Sequence, residues 1–341
     1  MKGYAPNLNP IRPDALEEIP IIDIGPFLAG QPGALQEAGA AIRHAMEDIG
    51  FYFIINHGIE QALVDRTFEA AKRFHDLPLD EKMALHFDEN SIGYMPLAGS
   101  TMRSSSLNAN NKPNLYEGLF IKRDLPPDHP DVIAKRPFRG VNHWPSNLPG
   151  FREDALAYAS AMEGLARRLL PLYAVALDLP HDWFDRAFSD PVFTLLLLHY
   201  PRQDVVEDNE FGFAPHTDTS FMTLLAQNEL PGLSIRLPNG RWVDAPAVEG
   251  SFLVNGGDIM RRWVNERFLA TPHQVINKSG RERYAIPYFI DCNYDWLMTC
   301  PDTCNSGDNP PRYEPFRYGD FMTWSRNLNY AKALAEKDKA L

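Results

Sequence analysis

Cysteine is scarce in this sequence, with three residues among 341, all near the C-terminal end. Cys300 and Cys304 are close enough along the chain to pair or to bind a metal ion together, whereas Cys292 stands apart. No further cysteine and no nearby histidine completes a zinc site. Free thiols in a reducing cytosol are therefore the favoured interpretation, and a disulfide-stabilised secreted scaffold is not expected.

Long apolar runs and an excess of positive charge are also missing. The apolar runs are short, as in residues 195–198, whereas a membrane-spanning helix requires about 20 apolar residues. Residues 1–10 lack the apolar core of a signal peptide. The net charge of −12 would repel phosphate backbones and anionic lipid, so neither nucleic acid nor a membrane is an expected partner. We expect a cytoplasmic enzyme that acts on a small molecule, and the sequence predicts no particular oligomeric state.

The composition is that of a folded chain, with 44% hydrophobic and 23% charged residues. We interpret residues 1–341 as one domain with a helix-rich N-terminal part over about 1–190. Apolar spacing predicts helices over 34–49, 62–74, 151–177 and 181–188, and strands over 19–24, 51–55 and 115–121. Residues 89–114 have no apolar period and are predicted to form a long surface loop, either a lid or a mobile insertion.

The chain changes character at residue 191, where short strand-like runs begin to alternate with turn signals. Strands are predicted over 192–200, 221–227, 233–236, 242–244, 252–255, 259–264, 271–276 and 284–290. Eight short strands with regular turns are typical of a barrel or a jelly roll. The predicted fold class is therefore α+β, mainly β, with a double-stranded β-helix (jelly-roll) core over about 191–295. The N-terminal part contributes strands to this core, and the flanking helices include a C-terminal one over about 317–338.

The stretch 211–220 carries the first candidate for chemistry, His216-Thr-Asp218. Side chains two apart on a strand face the same side, so an extended backbone points this imidazole and this carboxylate together. Two such ligands are two-thirds of the 2-His-1-carboxylate facial triad that binds Fe(II). His-x-Asp also occurs at His86, in a polar helix end, and at His129, in a proline-rich segment. A solvated turn therefore stays open as an alternative at His216.

A second histidine ligand is predicted at His273, on a strand far downstream that can return beside the strand of His216. A hairpin centred near Lys278 would place Arg283 opposite His273 and on the same face. A guanidinium inside an apolar barrel requires an anionic partner, because a buried unpaired charge costs several kcal/mol. The predicted ligand is a small diacid between metal and arginine, such as 2-oxoglutarate. The alternative is an exposed arginine in a basic turn.

These residues belong to a set of motifs that resembles the isopenicillin N synthase-like family of Fe(II)/2-oxoglutarate-dependent oxygenases, in the form found in microbial members. The motifs are residues 19–24, 50–59 with their His-Gly pair, the Leu-His-Tyr-Pro segment 198–201, His216-Thr-Asp218, Gly257-Asp258, His273 and Arg283. The resemblance implies that His216, Asp218 and His273 bind Fe(II). It also implies that Arg283 and Tyr200 bind 2-oxoglutarate.

The same resemblance implies the reaction. O2 would be a further co-substrate, and succinate and CO2 would be released. A C–H bond of a small molecule would be oxidised, most simply by hydroxylation, and ascorbate would stimulate turnover. No catalytic residue beyond the metal ligands is implied.

One position departs from the family pattern. The family usually has Arg-x-Ser, whereas this chain has Arg283-Tyr-Ala285. Alanine cannot donate the hydrogen bond that serine gives to the carboxylate, a loss of about 1–2 kcal/mol. This departure keeps open an iron oxidase of the same fold that does not use 2-oxoglutarate. A noncatalytic ligand-binding jelly roll and a zinc hydrolase are weaker alternatives, since all three ligands are present and no general base is evident.

Five substrate contacts are predicted: Leu198, Phe213, Phe289, Tyr116 and Arg103. The three apolar residues follow from strand parity or from their closeness to the metal ligands. The tyrosine and the arginine are candidate polar contacts, and the arginine lies in the predicted long loop. Each has a simpler alternative, as part of the core for the apolar residues and as an exposed loop residue for the arginine.

Overall fold

The computed structural model describes residues 19–103, 107, 112–203, 207 and 209–330. The strands are β1 (Ile21–Asp23), β2 (Phe51–Ile55), β3 (Gly93–Met95), β4 (Glu117–Ile121), β5 (Pro191–Tyr200), β6 (Phe213–His216), β7 (Met222–Gln227), β8 (Leu233–Arg236), β9 (Trp242–Asp244), β10 (Phe252–Gly256), β11 (His273–Val275), β12 (Arg283–Asn293), β13 (Leu297–Met298) and β14 (Phe316–Arg317). The helices are α1 (Gly25–Leu28), α2 (Ala34–Asp48), α3 (Gln61–His75), α4 (Leu79–Met83), α5 (Pro130–Ile133), α6 (Phe151–Ala176), α7 (Asp258–Trp263) and α8 (Tyr318–Asn329).

Two β-sheets form the centre of the fold. The larger sheet has eight strands in the order β1-β2-β10-β7-β12-β5-β4-β3, and the smaller sheet has four in the order β6-β11-β8-β9. Strand β1 runs parallel to β2, and the other pairs in both sheets are antiparallel. Two packed antiparallel sheets with helices outside them make the α+β jelly roll that the sequence predicts. The single-domain interpretation stays a prediction.

The central strands of the larger sheet are apolar on both faces. On β5, Leu196 and Leu198 pack with Ile235 of the smaller sheet. Leu195 and Leu197 point the other way, into a core shared with α2, α3 and α6. Successive side chains on a strand alternate between faces, so a strand buried on both sides becomes one continuous apolar run.

The long helix α6 supports the outer face of the larger sheet. Gly150 precedes it in the left-handed conformation, with φ +77°, and Glu153 and Asp154 occupy its first turn. Negative charge there interacts favourably with the helix dipole. The helix contacts α2, α3 and β12. The helix predicted over 151–177 is therefore present with nearly the same bounds.

The predicted strand over residues 259–264 is wrong, because this segment forms α7. Its buried apolar residues Ile259, Met260 and Trp263 follow the i, i+1, i+4 spacing of one helical face. The backbone N–H of Asp258 donates to the carbonyl of Asp218 over 2.7 Å. The chain therefore turns into a helix directly after β10.

Two further local predictions are wrong. Residues 181–188 form successive turns rather than a helix, with an i→i+3 bond from Trp183 to Pro180. In the predicted surface loop, residues 91–95 are buried and include β3, which pairs with β4. A Cβ atom at Gly93 would lie 2.4 Å from two backbone oxygens, so this position of the strand requires glycine. Because glycine has no side chain, the strand lacks the apolar alternation by which it could be predicted.

The structure also bears on membrane-spanning helices and on the state of the cysteines. The described part of the chain contains no helix of sufficient length and apolar character to cross a lipid bilayer. Cys292, Cys300 and Cys304 are free thiols. No disulfide therefore joins Cys300 to Cys304, and the reducing compartment stays a prediction.

A buried charge network lies on the helix side of β4 and β5. The Glu117 carboxylate accepts hydrogen bonds from Lys82 Nζ at 2.8 Å, from His199 Nδ1 at 2.7 Å and from the hydroxyl of Tyr94. His75 Nδ1 lies 3.6 Å from the same carboxylate. Burial alone would raise the pKa of Glu117, but the imidazoles of His199 and His75 and the ammonium of Lys82 hold this pKa well below its usual value.

We expect Glu117→Gln to lower the free energy of unfolding by about 3–5 kcal/mol, because Lys82 would remain buried without a counter-charge. Removing both charges, as Glu117→Gln with Lys82→Met, should recover part of this loss. The stability that the Glu117 carboxylate contributes to the wild-type protein should be fully present above pH 4.5, the ordinary pKa of this carboxyl. It should be lost progressively as the pH falls below that value. Urea unfolding followed by circular dichroism measures each effect.

The matched control is Asp76→Asn, which removes the exposed ion pair with Lys72. It should change the unfolding free energy by less than about 1 kcal/mol. A Glu117→Gln protein as stable as this control would contradict the structural role of the network.

Candidate metal centre

Two strands of the smaller sheet bring the predicted histidines together. In the antiparallel pair of β6 and β11, His216 lies directly opposite His273. Asp218 lies in the segment after β6, with its Oδ1 atom 3.6 Å from His216 Nε2 and 3.5 Å from His273 Nε2. All three side chains are buried. The two nitrogens and one oxygen therefore converge on a single point, as a facial triad requires.

Backbone carbonyls orient both imidazoles. The carbonyl of Ala214 lies 2.7 Å from His216 Nδ1, and the carbonyl of Thr271 lies 3.2 Å from His273 Nδ1. A carbonyl can only accept, so each Nδ1 must donate a proton. Neutral rings in this tautomer present the lone pair of Nε2, which is the atom that faces Asp218.

The second oxygen of Asp218 is held by two buried donors. Thr223 Oγ1 donates to Oδ2 over 2.6 Å, and Asn255 Nδ2 donates to the same atom over 2.8 Å. These bonds leave Oδ1 directed at the imidazoles. Behind the carboxylate, a side chain at Gly257 would lie 2.4 Å from the carbonyl oxygen of Ser220, so only glycine allows this close backbone approach.

The charge states also fit a divalent metal. Burial alone would raise the pKa of Asp218, but the imidazoles of His273 and His216 hold this pKa well below its usual value. Burial lowers the pKa of His216, which favours its neutral form; burial also lowers that of His273, but the Asp218 carboxylate outweighs it and raises this pKa. An ionised carboxylate and imidazole lone pairs are the donors that bind Fe(II) in a 2-His-1-carboxylate site.

The described residues include a second group of two histidines and one acidic residue, His75, Glu117 and His199. Both oxygens of Glu117 are already hydrogen-bonded, and the ammonium of Lys82 lies 2.8 Å from one of them. A metal cation there would be placed beside a buried positive charge. Among the described residues, His216, Asp218 and His273 therefore form the group suited to a metal.

A cavity of about 140 Å³ opens beside the three convergent side chains, between the two sheets. Arg283 lines it and is only 1% exposed. Its Nε donates to the carbonyl of Leu230 and its Nη2 to Gln227 Oε1, both over 3.3 Å, while Nη1 has no hydrogen-bond partner among the described residues. A buried guanidinium without an acidic partner in this part of the chain fits an anionic ligand.

The predicted neighbour of Arg283 is wrong, although its burial is as expected. Strand β11 belongs to the smaller sheet and β12 to the larger one, so no hairpin joins them across Lys278. Arg283 instead lies opposite Tyr200 on β5, with its guanidinium 5.1 Å from the centre of the tyrosine ring. The two predicted co-substrate residues are thus neighbours.

The predicted substrate contacts are placed as follows. Leu198, Phe213 and Phe289 line the cavity. Tyr116 is buried behind it and stacks on Phe213, with 4.8 Å between ring centres. Arg103 is exposed and is not among the cavity-lining residues, so the structure does not place it at the site.

The polar residues of this cavity that sequence reasoning missed include Thr223, Asn255, Lys122 and Asp291. The signal available in the sequence was a polar side chain at the end of an otherwise apolar strand, as in Asn255 after residues 252–254. Such a residue is costly to bury without a partner. Only the structure shows that its partner is Asp218.

Two family models match the chain. One, described as the N-terminal part of a non-haem dioxygenase in morphine synthesis, matches residues 19–147. The other, described as the 2OG-Fe(II) oxygenase superfamily, matches residues 192–291. The chain belongs to the isopenicillin N synthase-like family of 2-oxoglutarate- and Fe(II)-dependent oxygenases. It is an oxidoreductase that uses Fe(II), 2-oxoglutarate and O2, which confirms the resemblance of its motifs.

Individual relatives resemble the chain along most of its length. The 2-oxoglutarate-Fe(II) type oxidoreductase hxnY of Emericella nidulans is 39% identical over 336 residues, which cover 94% of this chain and 95% of the relative. Kihadalactone A synthase LFS of Citrus sinensis is 31% identical over 341 residues, covering 95% and 97%. The crystal structure of a full-length Neurospora crassa protein in complex with alpha-KG and thymine has a TM-score of 0.79 and 25% identity, covering 91% and 96%.

We expect Asn255→Leu and Thr223→Val each to weaken Fe(II) binding by about 10–100-fold, because Asp218 would lose a donor that orients it. Anaerobic calorimetric titration with Fe(II) gives the dissociation constants. Thr67→Val is the matched control, since Thr67 is a buried threonine in α3 that donates to the carbonyl of Leu63, away from the metal ligands. Fe(II) affinities equal to that of the control, in proteins of unchanged thermal stability, would contradict the orienting role.

Proposed function

We propose that His216, Asp218 and His273 hold Fe(II), and that Arg283 and Tyr200 bind 2-oxoglutarate. In this proposal the enzyme hydroxylates a C–H bond of a small molecule. The observation that carries it is a buried set of two imidazoles and one carboxylate beside a cavity that also contains a guanidinium with no acidic partner among the described residues.

The net charge of the site supports a dianionic co-substrate. Fe(II) with one aspartate carries a net charge of about +1, and Arg283 adds another. The two carboxylates of 2-oxoglutarate would neutralise both charges. When bound, the iron supplies the activation of O2, so that 2-oxoglutarate is oxidised to succinate and CO2 and one oxygen atom is inserted into the substrate C–H bond.

Tyr200 and Arg283 would act together on one carboxylate. Burial raises the pKa of Tyr200 to about 12, so its phenol stays protonated and can donate a hydrogen bond at neutral pH. Arg283 has Nη1 available for the same purpose. Both residues are buried and face each other across β5 and β12, which would hold the diacid in one orientation.

Ala285 lies where the family serine would stand. It lines the cavity and pairs with Leu198 on one side and Gln227 on the other. Its methyl group donates no hydrogen bond, so the diacid would depend more strongly on Arg283 and Tyr200. Gln227 accepts from the guanidinium and would help to fix its plane.

Apolar residues would exclude water from the reaction. Leu196, Leu198 and Phe289 line the cavity, and Phe213 stacks on His216 with 4.2 Å between ring centres. Exclusion of water favours transfer of oxygen to the substrate over side reactions. The small-molecule substrate is supported by the size of the cavity and by the thymine complex of the related Neurospora crassa protein. The cytoplasmic location and the stimulation by ascorbate stay predictions.

We expect His216→Ala, Asp218→Ala and His273→Ala to reduce bound iron to background after anaerobic Fe(II) loading. Substrate-stimulated succinate formation should fall by at least about 100-fold, because the metal loses one of three ligands. Iron content by atomic absorption and succinate by mass spectrometry give the two readouts. His181→Ala, at an exposed histidine, is the control and should retain both. Full iron content in any of the three variants would remove that residue from the ligand set.

We expect Arg283→Met to weaken 2-oxoglutarate binding by about 10–150-fold, since a hydrogen-bonded charge contact contributes about 1.5–3 kcal/mol. Iron content should be unchanged. The dissociation constant is measured by calorimetry on the anaerobic Fe(II) protein. Arg281→Met is the matched control, because Arg281 is an exposed arginine that pairs with Glu229. Equal 2-oxoglutarate affinity in both variants, or O2 consumption by wild type without succinate, would contradict the proposed function.

A further inference from the structure

The cavity has a second charged end that the proposed function does not use. Along β12, alternate residues from Arg283 to Asp291 line it. These two positions are eight residues apart, which is about 27 Å of strand. Thr223, the donor to Asp218, lies opposite Phe289 in the register of β7 and β12. The metal ligands therefore lie between the two ends, and Asp291 lies beyond them from Arg283.

Lys122 occupies this second end. It lines the cavity and is only 3% exposed. Its backbone is fixed by two hydrogen bonds with the side chain of Asn142, at 2.9 and 3.0 Å. Its ammonium donates to Thr194 Oγ1 and lies 5.4 Å from the ring centre of Phe138. Within the described ranges it forms no ion pair, although Asp291 and Asp88 are near enough to interact with its charge.

Asp291 interacts with Lys122 electrostatically but forms no ion pair with it. Asp291 is also buried, and its carboxylate accepts from the backbone N–H of Phe221 at 2.6 Å and from the hydroxyl of Tyr318 at 3.2 Å. Burial lowers the pKa of Lys122 to about 8 and raises that of Asp291 to about 7. Both shifts favour the neutral forms of this pair; Arg326 is near enough to lower the pKa of Lys122 further, while Asp88 acts in the opposite direction.

The cavity that contains the lysine is lined by further hydrogen-bond donors and by apolar side chains. Ser91, Ser325 and the guanidinium of Arg326 line the same cavity. Its apolar lining includes Phe120, Phe138, Leu196, Pro287 and Phe289. Donors at one end favour an acceptor-rich group, and flat apolar walls favour a flat apolar body.

We propose that Lys122 recognises a carboxylate of the substrate, and that the substrate is a small carboxylic acid with an aromatic or similarly flat apolar body. The carboxylate lies against the ammonium, and the apolar body extends past Phe289 toward the metal ligands. This inference rests on the proposed function, because it assumes that Arg283 rather than Lys122 binds 2-oxoglutarate.

The test compares an acid with its neutral isostere. Wild-type protein, loaded anaerobically with Fe(II) and saturating 2-oxoglutarate, is titrated with benzoate and with benzamide in a calorimeter. We expect benzoate to bind at least about 10-fold more tightly, by the contribution of a charge-assisted hydrogen bond. Lys122→Met should remove this preference by weakening benzoate alone. Lys122→Arg should retain it, because the positive charge remains.

Controls separate folding, charge and co-substrate effects. Lys278→Met removes an exposed lysine and should leave the preference for benzoate unchanged. Thermal melting shows whether each variant folds. If Lys122→Met does not fold, Lys122→Arg still tests the contact with the carboxylate. The Fe(II) content and the 2-oxoglutarate dissociation constant of Lys122→Met should equal those of wild type.

Three results would overturn the inference. The first is a wild-type protein that binds benzamide and benzoate with equal affinity, or binds neither at millimolar concentration. The second is a Lys122→Met protein that still prefers benzoate. The third is benzoate affinity that falls as the 2-oxoglutarate concentration is raised. If 2-oxoglutarate binding is weakened by Arg283→Met and not by Lys122→Met, only this inference fails. If it is weakened by Lys122→Met instead, the proposed function fails with it.

Discussion

The pairing of β6 with β11 is the contact on which the rest of the site depends, because it sets His216 directly opposite His273. The local backbone then orients each ring through its own Nδ1, and two donors from the larger sheet, Thr223 and Asn255, hold Asp218 against both rings. Three buried polar side chains, each of which would be costly to bury alone, thus form one compact donor set. The smaller sheet supplies the imidazoles and the larger sheet fixes the carboxylate, so the site requires both sheets.

Buried charged side chains have ion-pair partners on one face of the larger sheet and lack them, among the described residues, on the other. On the helix side, Glu117 is satisfied by Lys82, Tyr94 and His199, so that network needs no ligand. On the cavity side, Arg283 and Lys122 are buried without ion pairs among the described residues. A buried charge without an ion pair is costly, so it either shifts its pKa toward the neutral form or is compensated by a ligand. The proposed acids would supply that compensation on the cavity side.

Much of the fold could be predicted because its signals are local. Strand β2 and strands β8 and β9 have the predicted bounds, and α6 differs from its prediction by one residue, since period and turn residues act within a few positions. The strand prediction for residues 259–264 was wrong because their apolar spacing also suits a short helix. The hydrogen bond from the backbone N–H of Asp258 to the carbonyl of Asp218 is made at the start of that helix. The hairpin between His273 and Arg283 failed because a turn signal does not show in which sheet the next strand will pair.

The sequence by itself determined the donor set, since His216 and Asp218 stand two apart on an extended segment and His273 follows in a later strand. For Arg283 the sequence left two alternatives, burial in the barrel or exposure in a basic turn, and the structure shows the first. Only the tertiary structure decided the neighbours: Tyr200 beside Arg283, Asn255 behind Asp218, and Lys122 at the far end of the same cavity. Strand pairing depends on the packing of residues that are distant in sequence, and no local pattern contains that information.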